Sequence, residues 1–408
     1  MGTGRMTELL LHIGMPKTGS TDIQAWCDQH REALAEQGVL FPRTVTGSHS
    51  HRDLLIPDDS VGTFDEAPWR ALREQIRELR PQRVVLSEED LFFLDSEGID
   101  ALRQQLGAWV APERTHVVAY LRRQDLWLES RYKHAVRAKT VRFPDSIDEF
   151  IDQSPEARAV LDYATVLDRW QASLAPASIT ARPFEREQFD RAAPQGSLVA
   201  DFLHETGVAP PAEPGSGSST AVRNIALERN ALEVMRTVNR LEPSPETRRR
   251  LLRAAREATA AARQRGGGWP WPLLSPSRRH EILERAAAGN AEVARRFLAT
   301  AGQPLFRETP DATDGEWHPY PGLTPAAARA VLGYLPGARG SASTTGNEEQ
   351  EIVARVLAST VDPAPVVSEL PPPPPDSGGT EAVSTGHRPR AMLRGFRRAA
   401  RALLGRKA

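Results

Sequence analysis

Cysteine is nearly absent from this chain of 408 residues, which has one, Cys27. A single thiol excludes an internal disulfide framework and any zinc site built on several thiolates. It fits a reducing compartment, so a cytoplasmic location is expected. Long apolar runs are lacking as well. No stretch approaches ~18 consecutive apolar residues, and no transmembrane helix is expected. The short run Leu9-Leu10-Leu11 is broken by His12 and passes at once into Gly14-Met15-Pro16-Lys17. That pattern is a buried strand entering a loop rather than a secretory signal. An excess of either charge is also missing: 52 basic against 53 acidic residues leave a net charge of −1. A globally basic coat for nucleic acid is not expected, nor is a nucleic-acid partner, while local basic patches stay open.

What remains is the balance of a soluble globular protein, 40% hydrophobic and 26% charged. At roughly 150 residues per domain the length allows two to three domains. The 33 prolines are unevenly spread. Residues 1–305 read as one folded domain, with an α/β core over 8–210 and a helical region over 224–305. Residues 306–390 carry the run Pro371 to Pro375 and Ser/Thr/Gly clusters, and too little apolar periodicity to offset the entropy of ordering. They are expected to be a disordered linker, with one short helix around Asn347–Ser359.

Within the core, apolar strand-like runs alternate with helical periodicity. The runs are Glu8–Ile13, Arg83–Ser87, Thr115–Leu121 and Ser178–Arg182. Helices are expected from Ser20 to Gly38 and over Trp69–Leu79, Ile99–Val110, Asp125–Ala138, Tyr163–Leu174 and Leu198–Thr206. Such alternation predicts an α/β three-layer sandwich with a mainly parallel central sheet. Helical pattern fills Asn224–Arg265 and Ser277–Thr300. Gly215–Ser219 and Gly266–Gly268 read as loose connections, the first either a lid or a tolerated loop.

The richest stretch is Gly14-Met15-Pro16-Lys17-Thr18-Gly19-Ser20-Thr21, between the first strand and the first helix. Unpaired N–H groups at a helix N-terminus, with the helix dipole, make an anion site. Gly14 and Gly19 permit tight backbone turns, Ser20 and Thr21 bring hydroxyls, and Lys17 brings a charge. The nucleoside triphosphatase pattern needs a lysine directly after the second glycine. Ser20 stands there, and the lysine lies inside the loop.

Pro16-Lys17-Thr18-Gly19-Ser20-Thr21 resembles the phosphosulfate loop of sulfotransferases that use 3′-phosphoadenosine 5′-phosphosulfate (PAPS). The resemblance implies a fold like that of P-loop nucleoside triphosphate hydrolases. It implies that Pro16, Lys17, Thr18, Gly19, Ser20 and Thr21 hold the 5′-phosphosulfate, with Lys17 stabilising the leaving phosphate oxygen. PAPS would be the co-substrate, and no metal is called for.

A second element lies at the end of the third apolar run, Val117-Val118-Ala119-Tyr120-Leu121-Arg122-Arg123, with Ser130 and Tyr132 in the helix beyond. The carboxyl edge of a parallel sheet is where ligands sit, and an arginine there can grip a phosphate. Arg122 and Ser130 resemble the 3′-phosphate site of the same family. Arg123 offers a competing register, and a solvated basic helix is the plainer alternative. The resemblance spans roughly Glu8–Phe306.

Sulfuryl transfer to a hydroxyl also needs a base, worth roughly 10²–10⁴ in rate. Ser87-Glu88-Glu89-Asp90 follows a strand, and the resemblance puts Glu89 on the family's glutamate. The alternative is that Glu89 or Asp90 merely caps the next helix. Ser48-His49-Ser50-His51 is the other source, with His51 as base or as part of the acceptor pocket. The implied activity is sulfuryl transfer from PAPS to a hydroxyl of a carbohydrate or glycolipid. A P-loop kinase and a non-catalytic nucleotide-binding protein stay open beside it.

Residues 391–408 are basic, with Leu393, Phe396, Ala400, Leu403 and Leu404 at helical spacing. They read either as an amphipathic segment making peripheral membrane contact or as a disordered basic end.

Overall fold

The computed structural model describes residues 7–44, 46–56, 63–189, 197–209, 226–265, 273–298, 302–309, 319–335 and 346–360. The connections at 215–219 and 266–268 and the basic segment 391–408 lie outside them.

Five parallel strands form one sheet: β1 (Glu8–His12), β2 (Val39–Leu40), β3 (Arg83–Ser87), β4 (Thr115–Leu121) and β5 (Ser178–Pro183), in the order β2-β3-β1-β4-β5. β1 is central. Leu10 lies beside Val85 on one flank and His116 on the other. Consecutive residues of β1, β3 and β4 are buried, so both sheet faces are covered. That is why these strands read as apolar runs rather than as alternating ones.

The helices among them are α1 (Ser20–Gln29), α2 (Arg31–Glu36), α3 (Arg52–Leu55), α4 (Glu66–Leu79), α5 (Ser96–Leu106), α6 (Gln124–Arg137), α7 (Ile147–Gln153), α8 (Pro155–Val160), α9 (Tyr163–Leu174) and α10 (Leu198–Thr206). The helix expected from Ser20 to Gly38 breaks at His30, whose ring stacks on Trp26 at 4.2 Å. Right-handed crossovers send the β1-to-β2 connection over one face and the later connections over the other. The packing agrees: α1 meets α10, while α5 meets α9. Leu10, Val85, Val118, Ile23, Cys27 and Phe202 share one core cluster on the first face. Burial pushes the Cys27 thiol up to about 12, so it behaves as a small apolar side chain.

Two compact units are present. The first holds the sheet and also α13 (Pro276–Phe297), which packs on α9 and β5. The second comprises α11 (Arg229–Arg240), α12 (Pro245–Gln264), α14 (Pro325–Leu332) and α15 (Gly346–Ala358). The helical region expected as one block over 224–305 is therefore divided between the units.

The linker expected over 306–390 also needs correction. Residues 319–335 are ordered: Leu323, Ala328, Val331, Leu332 and Leu335 are buried, and α14 packs on α11 and α12. Thr324 caps α14 and Pro325 opens it, at the first helical position where proline is accommodated. The short helix expected around Asn347–Ser359 is α15. Its Glu348 accepts hydrogen bonds from Ser244 N at 2.7 Å and Thr247 Oγ1 at 2.6 Å.

Candidate anion-binding site

β1 is flanked by β3 and β4, whose onward connections leave over the face opposite to its own. Its carboxyl end is thus the switch point of the sheet, where a crevice opens. The loop 14–19 fills this position. It begins as a continuation of the sheet: Met15 N donates to Tyr120 O at 3.0 Å and Tyr120 N to Gly14 O at 2.7 Å. Gly14 has φ 91°, and a Cβ on it would lie 2.6 Å from Glu89 Cα. Only glycine lets the two backbones meet so closely.

Lys17 and Gly19 both take left-handed φ, 72° and 77°. Gly19 caps α1 with its carbonyl, which accepts from Asp22 N at 2.8 Å. No acceptor among the described residues bonds the backbone N–H of Thr18, Gly19, Ser20 or Thr21. Successive free amides in a left-handed turn, at the positive end of a helix, have the geometry of a nest suited to an anion.

Most carbonyls of the same loop are engaged. Met15 O accepts from Thr18 Oγ1 at 2.6 Å, Pro16 O from Trp127 Nε1 at 2.8 Å and Lys17 O from Arg122 Nη1 at 3.1 Å. Thr18 is fully buried with its hydroxyl spent on Met15, so its backbone amide is what it can offer a ligand.

Arg122 and its neighbour have different surroundings. Arg123 is buried and pairs with Asp125 through two bonds of 2.8 and 2.9 Å. Arg279 joins the same carboxylate at 2.5 Å and reaches Glu129 at 2.6 Å. Arg131 is paired with Glu156 at 2.5 and 2.7 Å, and Lys133 with Glu129 at 3.2 Å. This is a helix of ion pairs rather than a solvated basic face. Arg122 instead lies over the Phe184 ring at 5.9 Å, and burial lowers its pKa from the ordinary value. Ser130 is half-buried on α6, between the paired Glu129 and Arg131.

Glu89 is held beside the loop. Gln24 Nε2, on α1, donates to Glu89 Oε2 at 2.9 Å and to Ser87 Oγ at 3.2 Å. Arg52 and Arg131 both feel the Glu89 charge. The capping role considered for Glu89 or Asp90 belongs to Glu88, whose side chain accepts from Asp90 N at 3.3 Å. Burial, then the neighbouring Glu89 and Asp90 charges, pushes the Glu88 carboxyl up to about 7. Arg52 bonds Asp90 and approaches Glu88 at 3.4 Å.

His51 is in a different setting from the one expected of a base. It is buried, accepts from Ser87 N at 3.1 Å through Nδ1, and so carries its proton on Nε2, 3.2 Å from Pro42 O. Both nitrogens are spent on backbone, and burial depresses the imidazole to about 4. It is a neutral strut between β3 and the chain after β2. Of the two histidines, His49 is the exposed one, 2.7 Å from Asp28.

Among the described residues no group of three or more His, Cys, Asp or Glu could hold a metal ion. None of their helices is long and apolar enough to cross a membrane.

Comparison with known proteins adds little to this geometry. An "uncharacterized protein" of Archaeoglobus fulgidus is 28% identical over 226 residues, 55% of this chain and 56% of the relative. The chain thus spans a little over half of that relative's length. No family model matches, and no solved structure does.

Two members of the site are invisible to motif reading. Gln24 lies in the buried stripe Ser20, Ile23, Gln24, Cys27 of α1. Its signal is an amide at a core-facing position, where burial without partners would cost about 1–3 kcal/mol. Trp127 has no sequence signal, because its partner is a backbone carbonyl 111 positions away.

Proposed function

We propose that the chain is a sulfotransferase that moves a sulfuryl group from PAPS to a hydroxyl of a carbohydrate or glycolipid. The observation that carries this reading is the run of unbonded amides at Thr18–Thr21, beside Lys17, at the switch point of a parallel sheet. The strand order, with this loop between β1 and α1, supports a fold of the P-loop kind.

The donor set suits a nucleotide with phosphate at both ends. The loop amides and Lys17 would hold the 5′ end, and Arg122 with Ser130 the 3′-phosphate. PAPS, when bound, supplies an activated sulfuryl group on a phosphate oxygen. Lys17 and the amides would counter the negative charge that builds on that oxygen, a role worth about 10²–10³ in rate. Glu89, oriented by Gln24, would take the proton of the acceptor hydroxyl as that oxygen bonds to sulfur. The basic segment 391–408 would bring the enzyme to anionic membrane, a cytoplasmic protein in peripheral contact. Sedimentation with anionic liposomes that does not depend on that segment would remove this part.

The test is calorimetric binding of adenosine 3′,5′-bisphosphate, the expected product, without metal. Lys17→Ala and Arg122→Ala should each weaken it by about tenfold or more, the usual worth of a charged hydrogen bond. A folded wild type that ignores this ligand but binds ATP with Mg²⁺ would overturn the reading in favour of a kinase. Tight binding without turnover across a broad acceptor panel would favour a non-catalytic nucleotide-binding protein.

A further inference from the structure

The amides of the loop 14–19 are aimed by their own carbonyls. Across a trans peptide the C=O and N–H point in opposite directions. A group that fixes a carbonyl therefore fixes the direction of the next amide. Trp127 Nε1 holds Pro16 O at 2.8 Å, which directs the Lys17 N–H to the far side. Arg122 Nη1 holds Lys17 O at 3.1 Å, which directs the Thr18 N–H in the same manner. Both donors come from the end of β4 and the first turn of α6.

The constraint matters because Lys17 sits at φ 72° without being glycine. That region is sparsely populated for a lysine and persists only when the surroundings over-determine it. Pro16 lends no N–H to the loop. Trp127 is fully buried, so its N–H and the Pro16 carbonyl have no water to turn to. The backbone of Trp127 is held as well, since Trp127 N donates to Arg123 O at 2.9 Å, and its indole packs against the Phe93 ring at 5.9 Å.

We infer that Trp127 is a positioning residue for the bound anion: its indole N–H sets the peptide orientation that lets the loop amides converge on the 5′ end of the ligand. The identity of that ligand rests on the sulfotransferase reading, whereas the aiming of the amides does not. The role is selective, because the 3′ end would be held by Arg122 and Ser130.

The experiment compares wild type with Trp127→Phe in the full chain, by calorimetry and competition. The probes are adenosine 3′,5′-bisphosphate, adenosine 3′-monophosphate and inorganic pyrophosphate. Phenylalanine keeps an aromatic ring and lacks the donor. Affinity for the bisphosphate and for pyrophosphate should fall about tenfold, while that for the 3′-monophosphate stays within twofold. A merely structural role would weaken all three alike, and that result overturns the inference, as would unchanged binding of the bisphosphate.

If Trp127→Phe does not fold, β-(3-benzothienyl)alanine at position 127 keeps the bicyclic shape without the N–H, and the same pattern is required of it. Wild type that binds pyrophosphate but not the bisphosphate overturns the sulfotransferase reading alone, provided the variant loses pyrophosphate. Wild type that binds none of the probes overturns both.

Discussion

Gly14 and Glu89 meet backbone to backbone: a Cβ on the glycine would lie 2.6 Å from the glutamate Cα and 2.7 Å from its carbonyl oxygen. This contact joins the loop that would hold the nucleotide to the residue that would activate the acceptor. Neither neighbour is the far end of a flexible side chain, so neither can yield cheaply. Gly14→Ala adds the strain of φ 91° to overpacking that typically costs about 1–3 kcal/mol. We expect the variant to lose at least that much stability in urea, and to lose affinity for adenosine 3′,5′-bisphosphate as well. A variant with wild-type stability and affinity would mean that the two segments part readily.

The candidate base and the candidate leaving-group lysine should separate in their effects. Glu89→Gln should leave bisphosphate affinity within about threefold, yet cut sulfate transfer from labelled PAPS by about 10²–10⁴. Lys17→Ala should damage both. Gln24→Met should resemble a weaker Glu89→Gln, because it removes the donor that orients Glu89 Oε2. In the Glu89→Gln background it should add nothing, as expected of two residues acting as one unit. His51→Ala should instead cost stability, about 1–3 kcal/mol, by stranding Ser87 N and Pro42 O. Abolished transfer in a stable His51→Ala protein would return the histidine to the chemistry.

The parallel sheet was legible because buried strands leave continuous apolar runs, as in Val84-Val85-Leu86. The loop between β1 and α1 was legible because glycine and lysine types cluster where a strand hands over to a helix. Histidine placement was not legible. His-x-His is the same string whether His49 or His51 turns inward, and only the chain after β2 decides which one β3 captures. Gln24 and Trp127 escaped because their partners are set by tertiary approach. The second unit was underestimated because the prolines and glycines around α14 hide an apolar face of four or five residues that only neighbouring helices complete.

Arg122 and Arg123 are adjacent in sequence and opposite in expected behaviour. Arg123 and Arg279 share the buried Asp125 carboxylate, and burial is tolerated only while the charges are paired. Asp125→Asn removes the buried charge that Arg123 and Arg279 share, leaving Arg279 its Glu129 partner, and should destabilise by about 3–5 kcal/mol. Arg122→Ala loses the bond to Lys17 O, which should cost only about 0.5–1.5 kcal/mol in urea, and should strike ligand binding. Equal destabilisation by both variants would make Arg122 a structural residue and remove it from the 3′-phosphate site.

The buried titratable groups around β1 and β3 give the stability a pH dependence whose sign can be worked out. His12 and His51 are depressed by burial from 6.5 to about 3 and about 4. Between about pH 5 and 6.5 the unfolded chain therefore takes up protons that the fold refuses, and acid destabilises. Each histidine contributes a slope of up to about 1.4 kcal/mol per pH unit in that window. Glu88 acts in the opposite sense. Its carboxyl is raised from 4.5 to about 7, so the fold keeps a proton that the unfolded chain releases, and acid stabilises with a similar slope. These three groups together contribute a net loss of about 1.4 kcal/mol per unit on acidification. Glu88→Gln removes the opposing group, so the slope should steepen by up to about 1.4 kcal/mol per unit, while stability at pH 8 rises. Urea unfolding at pH 5, 6, 7 and 8 for the two proteins measures both effects. Parallel curves would mean that Glu88 reaches water and titrates near its ordinary range.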